Sequence, residues 1–101
     1  EYADQALAEA RQSGDPRTIA AALETGIRFH YHAQRWPEFH AAALAAASAH
    51  RAAGDRSALA DTLGLLGMAE TRLGRHEQAI AHLEEAIALA DQLAAEAGKP
   101  V

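Results

Sequence analysis

The sequence predicts an all-α fold, an α-solenoid of antiparallel helix pairs with about five helices. Three observations point there. Of its 101 residues 50% are hydrophobic and 23% charged, and much of the apolar share is alanine. Alanine forms helix readily but buries little area, so its helices must pack in thin, close layers. Shifted against itself by one repeat, the second half of the chain superposes on the first, pairing Gly14-Asp15 with Gly54-Asp55, Ala20 with Ala60, Leu23 with Leu63, Arg35 with Arg75 and Ala41 with Ala81. Leu59, Leu63 and Leu66, then Ile80, Leu83 and Ile87, recur at the i, i+3, i+4, i+7 spacing of an amphipathic helix, and no stretch alternates with period two.

The expected helices span 2–13, 16–33, 37–53, 56–73 and 76–96. The first, in residues 1–13, reads as the tail helix of a preceding, truncated repeat. Each Gly-Asp pair then opens a unit: Asp15 and Asp55 can accept from the free N–H groups of a first turn, and Pro16 suits the first helical position. Inside each unit a second break falls at Gln34-Arg35-Trp36-Pro37 and at Gly74-Arg75-His76. The units are 14–53 and 54–97, followed by a tail at 98–101.

Formal net charge is −5, and the nine basic residues are spread without the concentrated basic face that nucleic acid requires. No direct nucleic-acid partner is expected. The chain has no cysteine, which removes disulfides and thiolate metal sites and leaves a reducing cytoplasm as the expected location. Apolar runs such as Ala41 to Ala47 fall well short of the roughly 20 residues of a membrane span. The chain begins at Glu1 without a charged-then-apolar leader, and it reads as an excised fragment.

In the second unit, Leu63, Leu66-Gly67, Gly74, Ala79, Leu83 and Ala86 stand at the spacings of a tetratricopeptide repeat, which this unit resembles. Small Gly67 and Ala79 would let paired helices approach, Gly74 would permit the sharp turn, and Leu63, Leu83 and Ala86 would fill the seam. The first unit is a diverged version. Its glycine falls one place early at Gly26, Gln34 replaces the turn glycine, and bulky Phe39 stands where a small residue is usual. With Trp36-Pro37-Glu38-Phe39 and the joint at Gly54, a period longer than the usual tetratricopeptide repeat is similar to the long-repeat region of bacterial SARP-type and other STAND-class transcriptional regulators. The resemblance covers residues 14–93. It implies a sensor or scaffold arm of such a regulator.

The resemblance also places Ala21, Glu24, Arg28, Tyr31 and His32 from the first unit, and Asp61, Gly64, Met68, Thr71 and Arg72 from the second, along a concave groove that binds a protein or peptide. Tyr and Arg anchor interfaces well, and Met adapts to shape. Glu24 and Arg28 are also spaced i, i+4, as an ordinary solvated helix pair would be. Tetratricopeptides that clamp a C-terminal carboxylate use Lys and Asn. Glu24, Gly64, Met68 and Asp61 at the matching places point away from that mode, and toward a longer segment of a partner or of the same parent chain.

Six histidines raise the question of metal, and their spacing answers it. His30 and His32 point about 200° apart on a helix, Ile80 stands where a zinc-protease helix beginning at His76-Glu77 needs its second histidine, and His82 with Glu85 lacks a third ligand. No metal site and no cofactor is expected. Gly64-Leu65-Leu66-Gly67 lies in an apolar helix and Gly98-Lys99-Pro100 lacks the other residues of a phosphate loop, while Ser13, Ser48 and Ser57 have no nucleophile context. No catalytic residues emerge, and the chain is expected not to be an enzyme. Trp36 is expected to pack against the helix that follows it. The leading expectation is a protein-interaction scaffold or sensor module. The alternative is a small helical ligand- or metal-binding sensor domain, and a DNA-binding helix-turn-helix is disfavoured by the acidic balance. Helix faces meant for neighbouring repeats would be uncovered at both ends, so marginal stability or self-association through the terminal helices is also expected.

Overall fold

Each stretch of helix former between two glycine or glutamine breaks folds as one helix. A computed structural model describes residues 2–98, as α1 (Tyr2–Ser13), α2 (Pro16–His32), α3 (Trp36–Ala53), α4 (Arg56–Arg72) and α5 (His76–Ala97). There is no strand among the described residues, so the fold is all-α with five helices, as expected. The ends differ from expectation by a residue: Ala33 and Leu73 are C-caps and not last helical residues, and α3 starts at Trp36, which puts Pro37 in its first turn. Of the tail expected at 98–101, residues 99–101 lie outside the described residues.

The turns share one backbone solution. Gly14, Gln34, Gly54 and Gly74, evenly spaced along the chain, have φ of 71°, 56°, 72° and 77°. After α2, the Gln34 N–H donates to the Tyr31 carbonyl at 3.1 Å and the Arg35 N–H to the His30 carbonyl at 2.9 Å. Gly54 and Asp55 after α3, and Gly74 and Arg75 after α4, repeat this pair of bonds, which satisfies carbonyls the helix leaves open. Starts of helices alternate. Asp15 and Asp55 cap with their side chains, accepting from the Arg17 and Ala58 amides, whereas Arg35 and Arg75 make no such bond. The Thr18 hydroxyl, followed by the Arg17 amide, holds the Asp15 carboxyl below its usual range.

Among the described residues, close backbone contact runs only between consecutive helices, α1 on α2, α2 on α3, α3 on α4 and α4 on α5. Short turns make each pair antiparallel, so Arg56 at the start of α4 reaches Glu96 near the end of α5. The Cα extents are 47 × 34 × 18 Å, and two layers of helix at a spacing of about 8–10 Å account for the smallest. Leu23, Ile27, Phe39, Leu59, Leu63 and Leu66 form a continuous core with alanines of α3 and α4. Phe39, at the place Ala79 takes in the second unit, is fully buried in the α2–α3 seam. The glycines explain how: a Cβ on Gly26 would meet nothing within 4 Å, whereas one on Gly67 would stand 2.6 Å from the Leu83 side chain. The α4–α5 pair is therefore the close one.

Two stability effects follow. Gly67→Ala is expected to cost about 1 kcal/mol, since the clash with Leu83 outweighs the helix propensity gained, and Leu83→Ala in the same chain should reverse its sign; chemical denaturation of the two single variants and the double variant measures this. Gln34→Gly should stabilise by about 0.5–1 kcal/mol, because it relieves a left-handed non-glycine residue, less the chain entropy that glycine adds. A thermal melt that falls on this substitution would contradict the strain.

Candidate functional site

The expected groove residues all lie on α2 and α4, but the structure divides them. Glu24, Arg28 and Asp61 share a shallow depression of about 160 Å³ with Ile27, Thr62 and Leu65. Among the described residues, Glu24 and Arg28 form no ion pair with each other. Glu24 Oε1 instead comes within 3.2 Å of His50 Nε2 on α3, off the direction of a hydrogen bond, and that nitrogen stays buried and unpaired.

Tyr31 and Arg72 belong to a second group at the C-terminal ends of the same two helices. Tyr31 lies edge-on to Trp36 with centroids 6.0 Å apart and near Phe39 at 6.1 Å, and the Arg72 guanidinium stands 4.9 Å above the Trp36 ring. Trp36 in turn packs on Phe39 at 5.6 Å, one turn into the helix it opens. His32 meets the edge of Tyr31 at 5.6 Å. Tyr31 remains 46% exposed, so the cluster presents an aromatic and a cation to solvent. Met68 is half-buried against the core, and the Thr71 hydroxyl donates to the Gly67 carbonyl at 2.9 Å, as an exposed helical threonine commonly does. Those two offer less to the α2/α4 face than the resemblance implies.

A larger open trough of about 310 Å³ lies where α1, α2 and α3 meet, lined by Pro16, Ile19, Leu23 and alanines of α3, with Arg11 and Ser48 its polar members. It lacks the convergent polar groups that orient a small molecule.

The most unusual chemistry is one that sequence reasoning misses. Glu70 of α4 is 1% exposed and accepts from two histidines, its Oε2 from His40 Nε2 of α3 at 3.1 Å and its Oε1 from His82 Nδ1 of α5 at 2.7 Å. Arg75 donates to His40 Nδ1 at 3.3 Å. With Arg75 as donor at Nδ1, the His40 proton sits on Nε2, and the chain of donation runs from Arg75 through His40 to Glu70. One carboxylate thus joins three helices. His82, which sequence spacing pairs with Glu85, turns to Glu70, and Glu85 binds Arg51 of α3 at 2.7 Å. A signal is present in the sequence: Glu70 stands in the apolar series Leu59, Leu63, Leu66, Leu73, at a place the pattern reserves for a core residue.

No cluster of three His, Cys, Asp or Glu positioned to hold a metal ion is found among the described residues. Both histidine N–H groups in the Glu70 network are spent on its carboxylate, and no hydroxyl among the described residues bonds to it. No family model matches the chain, and no curated protein or solved structure does.

Glu70→Gln keeps the volume but cannot accept from both histidines, so it should destabilise the chain by about 1–3 kcal/mol. Glu70→Ala should cost more, because it also leaves a cavity and two unpaired imidazoles. A urea midpoint unchanged in both variants would mean the network contributes nothing to stability.

Proposed function

We propose that the chain is a protein-interaction scaffold or sensor module, a non-enzymatic repeat arm of the tetratricopeptide type from a bacterial cytoplasmic transcriptional or signalling regulator. The observation that carries this reading is the α2/α4 face. Glu24, Arg28, Asp61 and exposed Leu65 line its middle, and Tyr31 with Arg72 over Trp36 closes one end. A depression of about 160 Å³ is smaller than the roughly 300–1,000 Å³ that small-molecule pockets enclose. Mixed charge along a shallow, elongated face suits an extended or helical segment, with the aromatic and arginine as anchors and the carboxylates setting register. The sequential packing of helices and the even spacing of turns support the repeat reading, since repeat arrays contact only their neighbours. Membership of a regulator rests on the sequence resemblance alone, which is an analogy.

The test is retention of protein from a lysate of the source cells on the immobilised chain, beside a variant carrying Arg28→Glu, Tyr31→Ala and Asp61→Arg. All three side chains are exposed, so the variant should keep its helical spectrum. A protein retained by the native chain and reduced at least about tenfold by the variant is the expected result. Equal retention by both would remove the α2/α4 face from the function.

A further inference from the structure

The two outer helices of the repeat pairs, α3 and α5, occupy matching positions in successive repeats and keep one register, but their surroundings differ. On α3, His40, Ala43, Ala47 and His50 are buried, and the bond from His40 to Glu70 places this face against α4. Their counterparts on α5 are Ile80, Leu83, Ile87 and Ala90. Ile80 is 56% exposed, Leu83 38% and Ile87 62%, the largest group of exposed aliphatic side chains on one helix among the described residues. What α3 covers with alanine and histidine, α5 offers to solvent with isoleucine and leucine.

Beside this stripe runs a row of acids. Glu77, Glu84 and Asp91 recur at heptad spacing, which on a helix aligns them along one edge of the stripe formed by Ile80, Leu83 and Ile87. All three are exposed and make no ion pair among the described residues, whereas the remaining acids of α5, Glu85 and Glu96, are taken by Arg51 and Arg56. No Lys or Arg occurs in α5. The matching positions on α3 are Pro37, Leu44 and Arg51, so where the chain packs its own next helix no acidic row is present. The acidic row is therefore particular to α5.

We propose that this face of α5 docks an amphipathic helix whose apolar stripe is bordered by lysine or arginine. The apolar positions would seat side chains at i, i+3, i+4 and i+7 of the partner, and the acidic row would face its basic border. A second copy of α5 is the poorer occupant: a two-fold pair would bring the same unpaired carboxylates near one another with no cation on either helix to offset them. The proposal is independent of the α2/α4 face, and either can fail without the other.

The probe is a synthetic helical peptide of about three heptads with leucine at the docking positions and lysine along both borders, measured against an otherwise identical peptide with glutamine borders. The lysine peptide is expected to bind at least about tenfold more tightly at low salt, and the difference should shrink in about 0.5 M salt. Glu77→Gln/Glu84→Gln/Asp91→Asn should close the gap between the two peptides. Ile80→Ser/Ile87→Ser should abolish binding of both. Glu9→Gln/Glu38→Gln, exposed acids on other helices, should leave affinity unchanged. Equal affinity for the two peptides would overturn the proposal. So would an equal loss in the Glu9/Glu38 variant, which would reduce the effect to net charge, or a dimer seen in sedimentation that Ile80→Ser/Ile87→Ser disrupts and the peptide cannot displace.

Discussion

The left-handed residue at each turn between helices sets the geometry of everything else. It recurs at Gly14, Gln34, Gly54 and Gly74, and this even spacing gives the helices between them nearly equal length and a repeated register. The register shows in the slot whose carbonyl accepts the turn's second bond, occupied in order by His30, His50 and Glu70. These side chains meet different outcomes. His30 Nδ1 and His50 Nε2 are buried without a hydrogen bond, whereas Glu70 is bonded at both oxygens. Unpaired buried nitrogens cost free energy and a paired carboxylate recovers its own desolvation, so the same backbone slot is weak in the first unit and firm in the second.

An alanine-rich core makes that polar joint matter more than its size suggests. The largest fully buried side chains are Phe39, Leu63, Leu66 and Glu70, so one of the four is a carboxylate. Apolar seams of alanine and leucine slide past one another at little cost, because neighbouring registers bury similar area. A carboxylate that must meet His40 on one helix and His82 on another tolerates no such shift. Buried ionic groups often add little net stability over a well-packed apolar replacement, and their better attested use is to fix register. Glu70 between α3, α4 and α5 fits that use, and Arg75 ties the same network to the turn that precedes α5.

Most of the fold is legible in the sequence because local signals agree: glycine or a left-handed substitute at each turn, aspartate caps at Asp15 and Asp55, and leucines at helical spacing. Gln34 is readable as a stand-in for glycine from the repeat alone. The α2/α4 face is legible only in part. The resemblance sets Glu24, Arg28 and Asp61 along one face of α2 and α4, and they do converge, but neither it nor helical spacing can tell that Met68 turns toward the core or that Thr71 bonds to its own backbone. The Glu70 network escapes for a related reason. Spacing along one helix pairs residues at i, i+3 and i, i+4, which finds His82 beside Glu85, whereas the actual partners are 30 and 12 residues from Glu70 and meet only through tertiary packing. An acid inside a leucine series is the available clue, and it demands partners from other helices.

Charge on α5 is sorted by direction, and the sorting follows from its neighbours. Arg51 and Arg56 project from α3 and α4 and engage Glu85 and Glu96 on the inward edge. The Arg51 guanidinium holds the Glu85 carboxyl below the usual carboxylate range, so whatever stability this pair lends is present above the unfolded carboxyl's pKa and is lost as pH falls through the depressed folded one. These pairs are about half exposed, and solvent-screened pairs of that kind contribute little to stability. Their larger effect is rotational. By fixing two acids of α5 inward, they commit Glu77, Glu84, Asp91 and the isoleucines to the outer side, and a helix that could have spread its charge evenly presents one acid-edged apolar face. The bond between Glu70 and His82, on the adjoining inward face, holds α5 as well, so the orientation of the outer face is set by contacts that lie wholly within the chain.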